Sequence, residues 1–293
     1  MNKKKPAHNF HIPVMGLAYT IDSPIRVAQY GISSVISIID DEIIEKMNRL
    51  YHQRNNFSYT EISNKVEDYR AKRITAYLDM VHEVVHQKFI TFKQELSKSK
   101  EALQQFIDML PNQSDIKKGL ESFSEQKENF TENVLKFLEN HLSPGSIDVN
   151  VMTKVDKDNF VNGAQLPVIY NDAHVSLRGF ANSKLSSSIV LSAGMNPRLY
   201  SYFESFPDFF PNEKGELKKK IILKVSDFRS AMIQGNFFAK KGIWVSEYRV
   251  ESGLNCGGHA FATDGLLLGP IMEEFKQKKN DLIASSHELM VNE

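Results

Sequence analysis

The chain has 293 residues, and its 36 basic side chains are balanced by 36 acidic ones, with a sequence pI near 7.1. That balance speaks against partners held by bulk charge, so neither nucleic acid nor a membrane surface is expected. No apolar run approaches the ~18 residues of a membrane span, the basic start MNKKKPAHNFH lacks the apolar core of a signal peptide, and a single cysteine rules out a disulfide framework; the expectation is a soluble, cytoplasmic globular protein.

In chain order, Ile12 to Thr20 is an apolar run suited to a buried strand. Asp22-Ser23-Pro24 then reads as a helix start, with Asp22 or Ser23 as N-cap and proline in the first turn. The helix over Ile25 to Tyr30 stops at Gly31. A second strand, Ile32 to Ile39, runs into Asp40-Asp41 and an acidic helix start. Two strands joined by a short helix imply parallel pairing.

The pattern then changes. Ser58-Tyr59-Thr60-Glu61 is a capping box. Behind it an apolar stripe from Ile62 to Leu96 keeps helical spacing. Two further amphipathic stretches follow, Leu103 to Leu110, closed by Pro111, and Phe130 to Leu138, closed by Ser143-Pro144-Gly145. Residues 41–146 therefore read as an all-helical insertion, and 1–40 with 147–293 as one discontinuous βα domain.

The βα rhythm resumes with a strand from Ile147 to Val155, polar at Asp156, a loop to Pro167 and a helix near Asn171 to Phe180. A fourth strand, Ser188 to Leu191, leads to a helix from Pro197 to Phe206. A fifth, Lys220 to Val225, leads to a helix from Phe228 to Lys240, capped by Ser226-Asp227. A sixth begins at Ile243, and its helix runs from about Pro270 to Lys279. The fold class is thus α/β, a parallel TIM-barrel-like sheet of six βα units, short of the eight that close a barrel. Two missing units are expected from a further segment or a second chain.

Polar residues gather at the strand ends, where chemistry collects in such folds. Asp22, Asp41 and Asp227 read more simply as helix caps. Lys154 and Lys224, at the ends of buried strands, suit either an anion contact or a Schiff-base nucleophile, as in a lyase or aldolase. His82-Glu83-Val84-Val85-His86 spells H-E-x-x-H, the helical spacing of two zinc ligands and a general base in a metallohydrolase. It lacks a third ligand downstream, so no metal is expected there. The sixth strand empties into a glycine-rich loop around Cys256, Gly257, Gly258 and His259. A non-catalytic reading, with the helical insertion docking a partner, accommodates the same elements.

Taken together, Pro13-Val14-Met15-Gly16, the Gly31 to Val35 strand start, Val149-Asn150-Val151, Ser192-Ala193-Gly194-Met195-Asn196-Pro197 and Cys256-Gly257-Gly258-His259 resemble, in order, the motifs of FMN-dependent (β/α) barrels such as nitronate monooxygenases and related enoyl reductases. The match covers about half the chain and stops short of the family's phosphate-binding half. The resemblance implies an FMN oxidoreductase acting on a small molecule. It implies His259 as catalytic base, while Lys224 and Lys154 stay candidates through their strand-end positions alone. It also places Met15, Gly16, Asn150, Ser192, Gly194, Glu251, Gly257 and Gly258 near the flavin.

Overall fold

The computed structural model describes residues 7–15, 20–38, 40–123, 128–151, 156–192, 194–251 and 268–292. Its strands are β1 (His11–Ile12), β2 (Ser33–Ile38), β3 (Ile147–Val151), β4 (Phe160–Val161), β5 (Ala164–Gln165), β6 (Ser188–Leu191), β7 (Lys220–Val225) and β8 (Val245–Val250). Its helices are α1 (Ser23–Val27), α2 (Asp41–Arg54), α3 (Tyr69–Lys98), α4 (Lys100–Met109), α5 (Asp115–Glu121), α6 (Phe130–His141), α7 (Asp172–Ala181), α8 (Pro197–Tyr202), α9 (Phe228–Ala239) and α10 (Leu268–Val291). Six strands form one parallel sheet in the order β1-β2-β3-β6-β7-β8. The class is α/β, an incomplete parallel (β/α)-barrel-like fold. The runs of β6 and β7, Ile-Val-Leu and Ile-Ile-Leu, are buried without alternation, as parallel strands covered on both faces require. Register is direct from Ile189 opposite Ile221 to Leu191 opposite Leu223.

The chain separates into two compact units, one of residues 1–37, 46–60 and 77–148, the other of 38–45, 61–76 and 149–293. The first contains β1, α1 and most of the helical stretch. Its core joins Phe89 and Leu96 of α3 to Leu103, Phe106 and Ile107 of α4, Leu120 of α5, and Val134 and Leu138 of α6. Asp22 is buried there but caps nothing with its side chain. It accepts from the Tyr51 hydroxyl (2.7 Å) and from Arg26 (2.9 Å) instead. Burial, with the Asp22 carboxylate beside it, pushes the Tyr51 phenol up to about 12. Tyr77, wholly buried, donates to the Ile21 carbonyl at 2.6 Å.

In the second unit the start of α2 is capped by Asp40, whose Oδ1 accepts from the amides of Glu42 (2.8 Å) and Ile43 (3.2 Å). Asp41, read from sequence as a cap, pairs instead with Arg70 (3.0 Å) and Arg73 (2.9 Å). Asp227 does cap α9, accepting from the Ser230 amide at 2.6 Å. The Lys219 ammonium, wholly buried, donates to the Phe180 and Ser183 carbonyls at 2.9 and 2.8 Å and lies 4.4 Å over the Phe180 ring. It adds a charged donor at the carboxyl end of α7, where the Phe180 carbonyl also accepts from the Ser183 amide and hydroxyl.

Several elements differ from the sequence reading. The helix behind Ser58-Tyr59-Thr60-Glu61 begins only at Tyr69. The first strand is paired at His11 and Ile12, and residues 16–19 of the run expected as its body lie outside the described residues. A short antiparallel hairpin, β4 with β5, stands in the loop before Pro167, turning at Asn162 (φ 51°) and Gly163 (φ 79°). Helix α5 follows Pro111, where no helix is expected, and the final helix continues to Val291.

Candidate functional site

The carboxyl ends of the parallel strands in the second unit carry two polar clusters. The first is built on Asp156, beyond β3. Its Oδ1 accepts from the Ala173 amide (3.0 Å) in the first turn of α7. Its Oδ2 takes a long hydrogen bond from Asn196 (3.3 Å), the residue whose Oδ1 also caps α8 by accepting from Leu199 N at 3.1 Å. The Nδ1 of His174 lies 3.0 Å from the same Oδ2, with both side chains buried. At that separation the two side chains are in contact, although Nδ1 makes no well-aligned hydrogen bond. Burial works against the charged carboxylate, but His174, Asn196 and the Ala173 amide outweigh it and hold Asp156 below the usual range.

Around this pair, Asn171 is fully buried and donates to Asp158 at 2.8 Å, and the His174 ring lies 5.3 Å from that of Tyr202. Arg178 fixes Tyr202 from the other side by donating to its hydroxyl at 3.1 Å, while itself pairing with Asp68. A carboxylate that orients an imidazole is the arrangement that general acid–base chemistry uses. His174 and Asn171 are absent from the sequence-derived candidates. Their one signal is an Asn-Asp-Ala-His run opening a helix just after a strand's polar tail.

The second cluster lies at the ends of β7 and β8. Lys224 and Glu251, both singled out from sequence, form an ion pair at 2.8 Å, and the Glu251 amide donates to the Val225 carbonyl. The pair engages the Lys224 ammonium, so a Schiff base on this lysine would first have to break it. Arg249 pairs with Glu247 at 2.6 Å on the same strand.

Of the other sequence candidates, Asn150 is buried within β3, opposite Val190. Ser192 is half-buried just past β6, and its amide donates to the Val151 carbonyl at 3.3 Å. Gly194 adopts φ 123°, a conformation rare for any side-chain-bearing residue, and its carbonyl accepts from Tyr200 at 3.3 Å. Met15, in the first unit, is 64% exposed. Gly16, Lys154, Gly257, Gly258 and His259 lie outside the described residues. His82, Glu83 and His86 are exposed on α3, and among the described residues no group of three histidine, cysteine or carboxylate side chains is gathered for a metal.

No protein-family model, no curated protein and no solved structure matches this chain. Among the described residues no helix is long and apolar enough to cross a membrane.

Proposed function

We propose that the chain is the (β/α) portion of an FMN-dependent oxidoreductase of the nitronate monooxygenase type, acting on a small molecule in the cytoplasm. The observation that carries the reading is the collection of polar side chains where parallel strands end. Asp156, His174 and Asn196 lie beyond β3 and β6, and Lys224 with Glu251 at β7 and β8. In this fold class ligands bind at that face.

The described residues fit the ring portion of a flavin in one respect. Gly194 takes a backbone conformation that favours glycine, which itself carries no side chain that would meet a flat ring. Asn150, Ser192 and the Gly194 backbone would hold it. When bound, FMN would supply the electron acceptor that protein side chains lack. His259 would accept the substrate proton, a role that imidazole suits near neutral pH. The Lys224–Glu251 pair would present a fixed dipole to the bound molecule. The reading includes two further strand–helix units, supplied by another segment or a second chain, because eight strands close such a barrel.

The test is to mix the purified chain with FMN, desalt it and record the visible absorption spectrum of the protein fraction. The reading expects the two flavin bands to remain with the protein, and to be lost in a Gly194→Val variant that is otherwise folded. A protein fraction without flavin absorption overturns the reading.

A further inference from the structure

Outside the strand ends, the first unit holds a cavity of about 620 Å³ between α3, α4 and the turn after α1. That volume suits one small organic molecule. Its apolar wall is aromatic. Tyr30 and Phe92 meet edge to face at 5.1 Å, and Phe92 meets Phe106 in the same way at 5.1 Å. Two charges flank that wall on α3, Lys88 and Glu95, one residue four positions before Phe92 and the other three after it. On a helix these three share a face, and Lys88 and Glu95 stand roughly 10 Å apart along the axis.

Both charges lack an ionic partner among the described residues. Lys88 donates to the Ile25 carbonyl at 2.7 Å, and no carboxylate pairs with it. Its ammonium retains donors directed to no described group. Lys88 is an exposed residue at the cavity's edge, and partial desolvation of its ammonium lowers its pKa. Glu95 is exposed at the opposite end. One ammonium, with no guanidinium beside it, matches a single carboxylate better than a doubly charged phosphate. The carboxylate at the far end repels a second anion and accepts from a donor.

We propose that this cavity binds a small aromatic acid, with its carboxylate on Lys88, its flat body against Tyr30, Phe92 and Phe106, and a hydrogen-bond donor toward Glu95. The ligand class and the location are independent of the strand-end site, so the flavin reading can fail without this one failing.

The experiment is a fluorescence titration of the full chain with hydroxynaphthoate, a rigid probe that carries a carboxylate at one end and a hydroxyl at the other. Saturable one-site binding is expected. Naphthol, which lacks the carboxylate, should bind about tenfold more weakly, the loss of one charge-assisted hydrogen bond. Lys88→Met should weaken hydroxynaphthoate by a similar factor. Thr91→Trp, which places bulk from an exposed helical position into the cavity, should abolish binding while circular dichroism stays unchanged. Equal affinity for naphthol and hydroxynaphthoate in the unaltered protein overturns the proposal, whether or not Lys88→Met folds. So does retained binding in Thr91→Trp, or the absence of saturable binding.

Discussion

His8 shows how a single buried group sets a pH limit. It is 5% exposed, and neither ring nitrogen makes a well-aligned hydrogen bond, although the Tyr30 backbone lies within reach. Burial disfavours the imidazolium and lowers its pKa, with the Tyr30 backbone only partly opposing. Because the folded-state pKa lies below the unfolded one, the unfolded chain binds the proton more readily. The stability tied to neutral His8 is therefore fully present above the ordinary imidazole value of about 6.5 and is lost as pH falls below it. Asp156 has a depressed carboxylate pKa, so its contribution holds at that pH and is lost only as pH falls through its folded-state value. The two windows are separable. Melting temperature should fall between pH 7.5 and 5.5, and a His8→Leu variant should fall less over the same interval. Parallel pH curves for the two proteins would show that His8 is not the group responsible.

At the scale of elements, Gly179 fixes how closely α7 meets the start of α3. A β-carbon built there would lie 2.5 Å from Ile74 Cγ2 and 2.6 Å from Ile74 Cβ, with the Ala71 carbonyl at 3.1 Å. Thr75 closes the contact by donating to the Gly179 carbonyl at 3.0 Å. In an open helix, alanine in place of glycine gains up to ~1 kcal/mol, but overpacking of this kind costs about 1–3 kcal/mol. The branched Ile74 cannot turn its own Cβ aside, so the cost dominates. Gly179→Ala should destabilise the protein in urea unfolding, whereas Gly269→Ala, with nothing within 4 Å, should be neutral or slightly stabilising. A stabilised Gly179→Ala would mean that the two helices slide apart at no cost. The same scale shows what the sequence discloses. The strands β6 and β7 are legible to the residue because a short apolar run rich in isoleucine and valine, too short for a helix and bounded by turn signals, favours a buried strand. The capping box misleads because tertiary bonds claim the backbone of the residue right behind it. Ile62 N donates to Glu45 (2.9 Å), Ile62 O accepts from Arg73 (2.8 Å), and Asp68 at φ 53° resets the chain before Tyr69. The last helix is expected to end near Lys279, where polar residues take over. It continues because Leu282 and Ser286, spaced one turn apart, are buried with Ile271. At the candidate site, Asp156, Asn196, Lys224 and Glu251 are visible as polar residues ending apolar strands. His174 is hidden because its helix supplies no period that marks it out.

For the whole molecule, the decisive number is the charge. Thirty-six cations against 36 anions leave formal zero at pH 7, so copies of the chain have no long-range repulsion to oppose short-range attraction. Exposed apolar side chains such as Met109, Ile233 and Ile283 supply that attraction. The charge does not respond evenly to pH on the two sides of neutrality. The chain carries nine histidines, the side-chain type whose charge changes most readily in mild acid, so positive charge accumulates on that side of neutrality. Above pH 7 the groups that newly change charge are few, chiefly the α-amino group and the single cysteine, so the charge moves less than it does in mild acid. Self-association should therefore be relieved by mild acid and persist in mild alkali. Static light scattering at low ionic strength reads this directly. The second virial coefficient should rise from pH 7 to 5.5 and change less from pH 7 to 8.5. Salt at about 0.15 M, with a screening length of about 8 Å, should remove most of the acid-side gain. A coefficient that rises equally on both sides, or that falls in acid, would show that association is governed by specific contacts and not by net charge.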